Sequence, residues 1–141
     1  MVDEIIDGRA SADDSGTGRL TDWLADYTPH IALIHLGTND VWAGQDTEST
    51  VSELETIIDI LHADNASVTI LLAKLIPIDN RSIQLGIDAR NGEIDGIAIR
   101  KITAASPVLV VEGASPKMRR QSRTEKVEKV KDVKRCQRPD L

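Results

Sequence analysis

Short apolar runs alternate with stripes of apolar residues at helical spacing along the first 113 residues. Three runs of four to nine residues are rich in Ile, Leu and Val, and each has Pro or Gly close beside it. Such runs are typical of buried β-strands. They lie at residues 31–36, 68–76 and 108–111. Residues 4–7 are predicted to be the remnant of a fourth strand.

Between these runs, apolar residues recur every three or four positions, which predicts amphipathic helices. Ser49 or Thr50 is expected to cap the second helix, and Gly92 and Gly96 weaken the third, predicted over about residues 88–104. Strands separated by helices predict βαβ units, and hence an α/β fold with a parallel sheet covered on both faces. The stripes comprise Leu20, Trp23, Leu24 and Tyr27; Val51, Leu54, Ile57, Ile58, Leu61 and His62; and Ile94, Ile97, Ala98 and Ile102.

The charge of the chain changes sign near Gly113. Residues 1–113 carry 7 Lys/Arg and 19 Asp/Glu, net −12, whereas residues 114–141 carry 10 Lys/Arg and 4 Asp/Glu, net +6. We predict one α/β domain over residues 1–113 and a basic tail over residues 114–141. The tail is expected to be disordered, or loosely helical along the thin line of Val127, Val130 and Val133. It has no aromatic residue to stack on bases, so nucleic acid is not an expected partner.

Composition and motifs exclude several classes of protein. The single cysteine, Cys136, allows neither an intramolecular disulfide nor a cysteine-based zinc site. The three histidines lack metal-site spacing, and Gly16-Thr17-Gly18 lacks the lysine of a phosphate loop, so no metal or cofactor is expected. No apolar run could span a membrane, and the N-terminus lacks a signal-peptide pattern. The chain as given is expected to be cytoplasmic, although a full-length parent could be secreted.

The segment Gly37-Thr38-Asn39-Asp40 directly follows the best strand candidate. Functional groups of parallel α/β sheets gather at the carboxyl ends of strands. Gly37 permits a tight turn, the Asn39 amide can stabilise negative charge on a carbonyl oxygen, and Asp40 can accept local backbone N–H groups. Taken alone, the four residues are also explained by a turn that merely ends the strand.

The longer segment IALIHLGTNDVW, with WLADYTPH before it and TILLAKLIPI after it, resembles the SGNH (GDSL-type) hydrolases, especially their carbohydrate and acetyl esterases. The resemblance covers about residues 4–112 and implies a three-layer α/β/α fold with a parallel, flavodoxin-like sheet. Gly37, Asn39 and Asp40 match the family's Gly-x-Asn-Asp block, which implies that the Asn39 side chain donates in the oxyanion hole. Gly8 matches the place of a second family glycine, whose backbone N–H is another oxyanion donor.

Two blocks of that family are not found in the chain. The resemblance implies a nucleophilic serine in a Gly-Asp-Ser block on a preceding strand, and an Asp-x-x-His block after the last strand. We expect the chain to lack that first strand with its serine, and no histidine follows His62. A truncated gene model with a shifted reading frame near Gly113 is our hypothesis for the missing second block and the reversed charge.

Several patterns only imitate catalytic residues. Asp59-Ile60-Leu61-His62 has the Asp-x-x-His spacing but lies inside a predicted helix, where His62 continues the apolar stripe near the C-terminus. Asp14-Ser15-Gly16 follows no strand and is predicted to be a loop. His35 is predicted to be a buried histidine within its strand, and His30 to be exposed.

The resemblance implies a serine ester hydrolase that acts on small acyl or acetyl esters, acetylated sugars among them. Because the nucleophile and base are missing, we expect the chain as given to be inactive or very weak. One alternative is a non-catalytic α/β module that binds a small polar ligand. Another is an interaction module whose basic tail docks on an acidic partner.

Overall fold

The structure, a computed structural model, describes Val2, Ile6 and residues 11–13, 16–17 and 19–113. Each of the three long apolar runs forms a strand, and each apolar stripe lies at least partly on a helix. The elements are β1 (Ser11–Asp13), β2 (Gly16–Thr17), α1 (Leu20–Asp26), β3 (Ile31–Ile34), α2 (Thr38–Ala43), α3 (Thr47–Asp64), β4 (Thr69–Ala73), α4 (Arg81–Lys101) and β5 (Val108–Val111).

Strands β3, β4 and β5 form a parallel sheet in that spatial order. Ile34 pairs with Leu72, and Leu72 pairs in turn with Val110, so side chains on one face are in register across the sheet. This face packs against α3 and α4, and the predicted parallel α/β fold is confirmed. The core comprises Ile34, Ile70, Leu72 and Val108 from the sheet, Leu54, Ile57, Ile58, Leu61, Ile94, Ile97 and Ala98 from the helices, and also Val2 and Val68.

Side-chain caps determine where α3 and α4 begin. Asp46 accepts a hydrogen bond from the backbone N–H of Ser49 at 2.8 Å, so the cap of α3 is Asp46 rather than the predicted Ser49 or Thr50. Asn80 likewise accepts from two backbone N–H groups in the first turn of α4. This helix therefore begins at Arg81, seven residues before the start predicted from its weaker stripe.

The other face of the parallel sheet is not covered by any described helix. Ile31 and Leu33 on β3 are 65% and 67% exposed, and Leu109 and Val111 on β5 are 50% and 38% exposed. Parallel sheets are almost always covered on both faces. The predicted cover is therefore present on one face only within the described residues.

The N-terminal part differs from its prediction where it is described. Ile6 is helical, so the strand predicted over residues 4–7 does not include it. Strands β1 and β2 form an antiparallel pair, and Gly16, predicted to lie in a loop, belongs to β2. Gly8 and residues 114–141 lie outside the described residues, so the basic tail and its boundary stay predictions.

Candidate active site

The Gly37–Asp40 turn lies at the carboxyl end of β3, as predicted. β3 ends at Ile34, and Gly37 is the N-cap of α2 with a φ of 110°. This left-handed backbone conformation is strained for residues that carry a Cβ, so a glycine is favoured where the strand turns into the helix. The turn thereby becomes the start of a short helix that carries Asn39 and Asp40.

Asp40 points into the protein and is 1% exposed. Its Oδ1 atom accepts a hydrogen bond from the backbone N–H of Val2 at 2.8 Å. The sequence suggested local backbone partners, but this partner is 38 residues away, because the first turn of α2 directs the carboxylate inward. Asp40 therefore ties the turn to the N-terminal end of the chain.

Asn39 is exposed at the start of the same helix. Its side chain makes no hydrogen bond with any residue in the part of the chain that the structure describes. The amide is therefore free to donate to a ligand at the carboxyl edge of the sheet. A free donor at that edge is compatible with an oxyanion site. The role of Asn39 stays a prediction, as does that of Gly8.

Arg90 on α4 packs behind the turn, and the sequence reasoning missed it. A Cβ on Gly37 would lie 2.9 Å from Arg90 Cδ and 3.1 Å from Cζ, and closer still to Nε. The guanidinium therefore rests against the backbone of the turn. A signal was available, because Arg90 stands in the same stripe as the buried residues Ile87, Ile94 and Ile97.

The guanidinium of Arg90 is buried without a hydrogen-bond acceptor among the described residues. Its Nε, Nη1 and Nη2 atoms all lack a partner. Burial lowers the pKa of Arg90 to about 10, and the carboxylate of Asp40 partly offsets this lowering. Burying a cation with unpaired donors is costly. A poorly compensated positive charge thus lies beside the turn that carries Asn39.

A serine–histidine contact lies at the opposite, amino end of the sheet. Ser106 Oγ and His62 Nε2 are 2.9 Å apart. The Ser106 hydroxyl donates to the backbone carbonyl of Val68, so His62 donates to Ser106 and does not act as its base. Asp59 bonds Lys101 instead of orienting His62. The Asp-x-x-His pattern at residues 59–62 therefore belongs to helix packing, as predicted.

The other two histidines are both exposed. The prediction for His30 is confirmed, whereas the prediction of a buried His35 is wrong. β3 ends at Ile34, so His35 lies just beyond the strand in which it was predicted, and its position continues the alternation of the exposed residues Ile31 and Leu33. Its imidazole is accordingly open to solvent.

The described part of the chain holds neither a cluster of metal ligands nor a membrane-spanning helix. No group of three or more His, Cys, Asp or Glu residues there could hold a metal ion. Within the same residues, no helix combines the length and apolar character needed to cross a membrane.

The sequence model of the GDSL-like Lipase/Acylhydrolase family matches residues 3–132. The match includes all of the parallel sheet and its helices. It also extends past residue 112, where the resemblance drawn from the sequence ended. No curated protein matches the chain in sequence.

Two crystal structures resemble this chain to the same degree. One is an acetyl esterase, a serine-to-alanine mutant with acetate ion, and the other is a carbohydrate esterase family 3 protein from Talaromyces cellulolyticus. Each has a TM-score of 0.61 and 28% sequence identity, over 65% of this chain and 44% of the other. A family two carbohydrate esterase from Cellvibrio japonicus, at 12% identity and a TM-score of 0.50, shares the fold over 77% of this chain and 31% of its own.

The chain spans less than half the length of each of these three structures. The family match nevertheless covers far more than half of this chain. We conclude that the chain belongs to the GDSL-like lipase/acylhydrolase family, the SGNH hydrolases.

Proposed function

We propose that the chain is part of a serine ester hydrolase of SGNH type, with small acyl esters as substrates. The free Asn39 amide at the carboxyl edge of β3, in a chain of this family, is the observation that carries the proposal. Acetylated carbohydrates are the preferred substrate class, because two structural relatives are an acetyl esterase and a carbohydrate esterase.

In this proposal, Asn39 and Gly8 form the oxyanion site. Attack of a serine oxygen on the ester carbonyl gives a tetrahedral intermediate whose oxygen carries negative charge. The side-chain amide of Asn39 and the backbone N–H of Gly8 donate hydrogen bonds to that oxygen. Gly37 and Asp40 support the site, since they fix the start of the helix that carries Asn39.

The polypeptide alone is proposed to hydrolyse esters weakly or not at all. Its 141 residues contain no Gly-Asp-Ser block and no histidine after His62. Ser106 is no substitute nucleophile, because it is fully buried and donates its proton to a carbonyl. Any remaining catalysis comes from substrate binding and the oxyanion site. In enzymes that lack triad residues, these two together still give a rate about 10³–10⁴ times that of the reaction in water.

Hydrolysis of p-nitrophenyl acetate by the purified chain tests the role of Asn39. We expect any rate above buffer to fall in Asn39→Ala and in Asn39→Asp, which keeps the side-chain shape but removes the amide donor. Asp64→Asn is the control, since Asp64 is exposed at the far end of α3. A wild-type rate above buffer that is unchanged in both folded Asn39 variants would remove Asn39 from the site.

The buried guanidinium of Arg90 favours a second candidate function, a non-catalytic module that binds a small polar ligand at the same turn. Such a module would show no hydrolysis that depends on Asn39. Absent turnover is expected of both candidates, so binding of a small polar ligand that weakens in Arg90→Met and persists in Asn39→Ala would identify this alternative.

A further inference from the structure

Arg90 is the largest fully buried side chain in the described part of the protein. None of its three side-chain nitrogens has an acceptor among the described residues. Although burial lowers its pKa to about 10, the guanidinium remains charged at neutral pH. The free energy of this arrangement would fall if an anion paired with the guanidinium, because a buried charge is tolerated when it is paired and hydrogen-bonded.

The two terminal nitrogens of the guanidinium are the donors with which it would bind such an anion. Its Nε and Cζ atoms lie against Gly37, whereas the two terminal nitrogens lie farther from that backbone position. A guanidinium edge of this kind can donate two parallel hydrogen bonds to one planar anion. The Asp40 carboxylate, which interacts with Arg90, accepts a hydrogen bond from the backbone N–H of Val2. A polar group from a distant part of the chain is therefore also buried near Arg90.

We propose that Arg90 forms a binding site for a small carboxylate, with acetate as the simplest ligand. A planar carboxylate can accept two parallel hydrogen bonds from one guanidinium. Asp40 places one negative charge nearby, and residues 1–113 carry a net charge of −12. Both features favour a monoanion over a dianion such as phosphate.

This inference rests on the proposed function, because ester hydrolysis is the reaction that supplies the acid. Water adds across the bond between the acyl carbon and the ester oxygen, which yields an alcohol and a carboxylic acid that loses its proton at neutral pH. Arg90 would hold this carboxylate beside the turn that carries Asn39. Among the small acyl esters already proposed, an acetyl ester is the substrate that releases acetate.

Thermal unfolding of the full chain in sodium acetate, against sodium chloride at equal ionic strength and pH, tests the site. At about ten times the dissociation constant of acetate, we expect the melting temperature to rise by about 5 °C over chloride. This rise in melting temperature should vanish in Arg90→Met. It should be smaller in Arg90→Lys, which keeps the charge but cannot donate two parallel hydrogen bonds to one carboxylate. Arg81→Met is the control, because Arg81 is exposed on the same helix. It should respond to acetate as the wild type does.

Equal melting temperatures of the wild type in acetate and chloride would overturn the proposal, whether or not Arg90→Met folds. The same holds if acetate stabilises Arg90→Met as much as the wild type, or if only sodium phosphate stabilises the wild type. Acetate binding is measured without turnover, so it separates this inference from the proposed function. Hydrolysis that depends on Asn39 without any acetate binding would overturn the carboxylate site and leave the proposed function standing.

Discussion

Arg90 lies so close to Gly37 that a Cβ at residue 37 would be 2.9 Å from its Cδ atom and still closer to Nε. Gly37 therefore meets two demands at once. Its φ of 110° turns the chain from β3 into α2, and its missing side chain leaves room for the guanidinium. The turn that carries Asn39 is thus shaped by a contact between residues 53 positions apart.

Gly37→Ala should destabilise the protein by about 2 kcal/mol or more, because strain from the positive φ adds to the steric conflict with Arg90. Gly92→Ala is the matched control on α4, where an added Cβ meets no atom within 4 Å. This second change should stabilise by about 0.5–1 kcal/mol, since alanine is the better helix former. Urea unfolding measures both, and equal effects would contradict the contact.

Asp40→Asn should destabilise the fold by about 1–3 kcal/mol. The amide oxygen can still accept the Val2 N–H, but the charge that offsets the burial of Arg90 is lost. Asp64→Asn, at an exposed position, should change the free energy of unfolding by less than about 0.5 kcal/mol. If Asp40→Asn were equally mild, the electrostatic link between Asp40 and Arg90 would be refuted.

Local sequence pattern was sufficient to predict the parallel sheet. β5 coincides with its predicted run, and β3 and β4 are shorter than theirs by two and four residues. The predicted run for β4 is too long because buried apolar residues continue past the end of the strand. Leu75, for example, is buried but follows the end of β4. The apolar runs locate the strands, whereas the strand ends depend on hydrogen-bonded pairing.

The interior of the site was less predictable, since its contacts join distant residues. Asp40 and Val2 are 38 residues apart, and nothing in their local sequence indicates the bond. Gly37 and Asp40 could be placed at the edge of the sheet by pattern and family resemblance. Arg90 could not be tied to them, although its position in a buried stripe marked it as unusual.

The face of the parallel sheet that no described helix covers should promote self-association. Leu33 is 67% exposed there among other exposed aliphatic side chains. Leu33→Lys should lower the fraction of oligomer without loss of stability, because it breaks an apolar patch at an exposed position. Leu85→Lys is the control, since Leu85 is 66% exposed on α4 and away from this face. Light scattering that shows equal oligomer in both variants would exclude the face as the contact.

Lys74 should contribute stability that is lost at high pH. Its ammonium bonds Glu112 at 2.7 Å and Asp95 at 3.0 Å, and these hydrogen bonds raise the pKa of Lys74 above 10.5. The contribution is full below pH 10.5 and disappears as the pH rises through the higher value of the folded state. Because both carboxylates are exposed, it amounts to at most about 1 kcal/mol.

Urea unfolding of wild type and Lys74→Met at pH 8 and pH 11 measures this contribution. The difference in the free energy of unfolding should be larger at pH 8. A difference that grows toward pH 11 would show that the ion pairs do not stabilise the fold.

We propose that this chain carries the oxyanion side of an ester-hydrolase site without a nucleophilic serine. Fluorophosphonate labelling of the purified, folded chain, measured by intact mass and peptide mapping, tests it most directly. The reagent modifies a serine that a base and an oxyanion site activate. We predict no stoichiometric adduct. A stoichiometric adduct on Ser11, Ser15 or Ser106 would contradict the account, because the chain would then hold a working nucleophile.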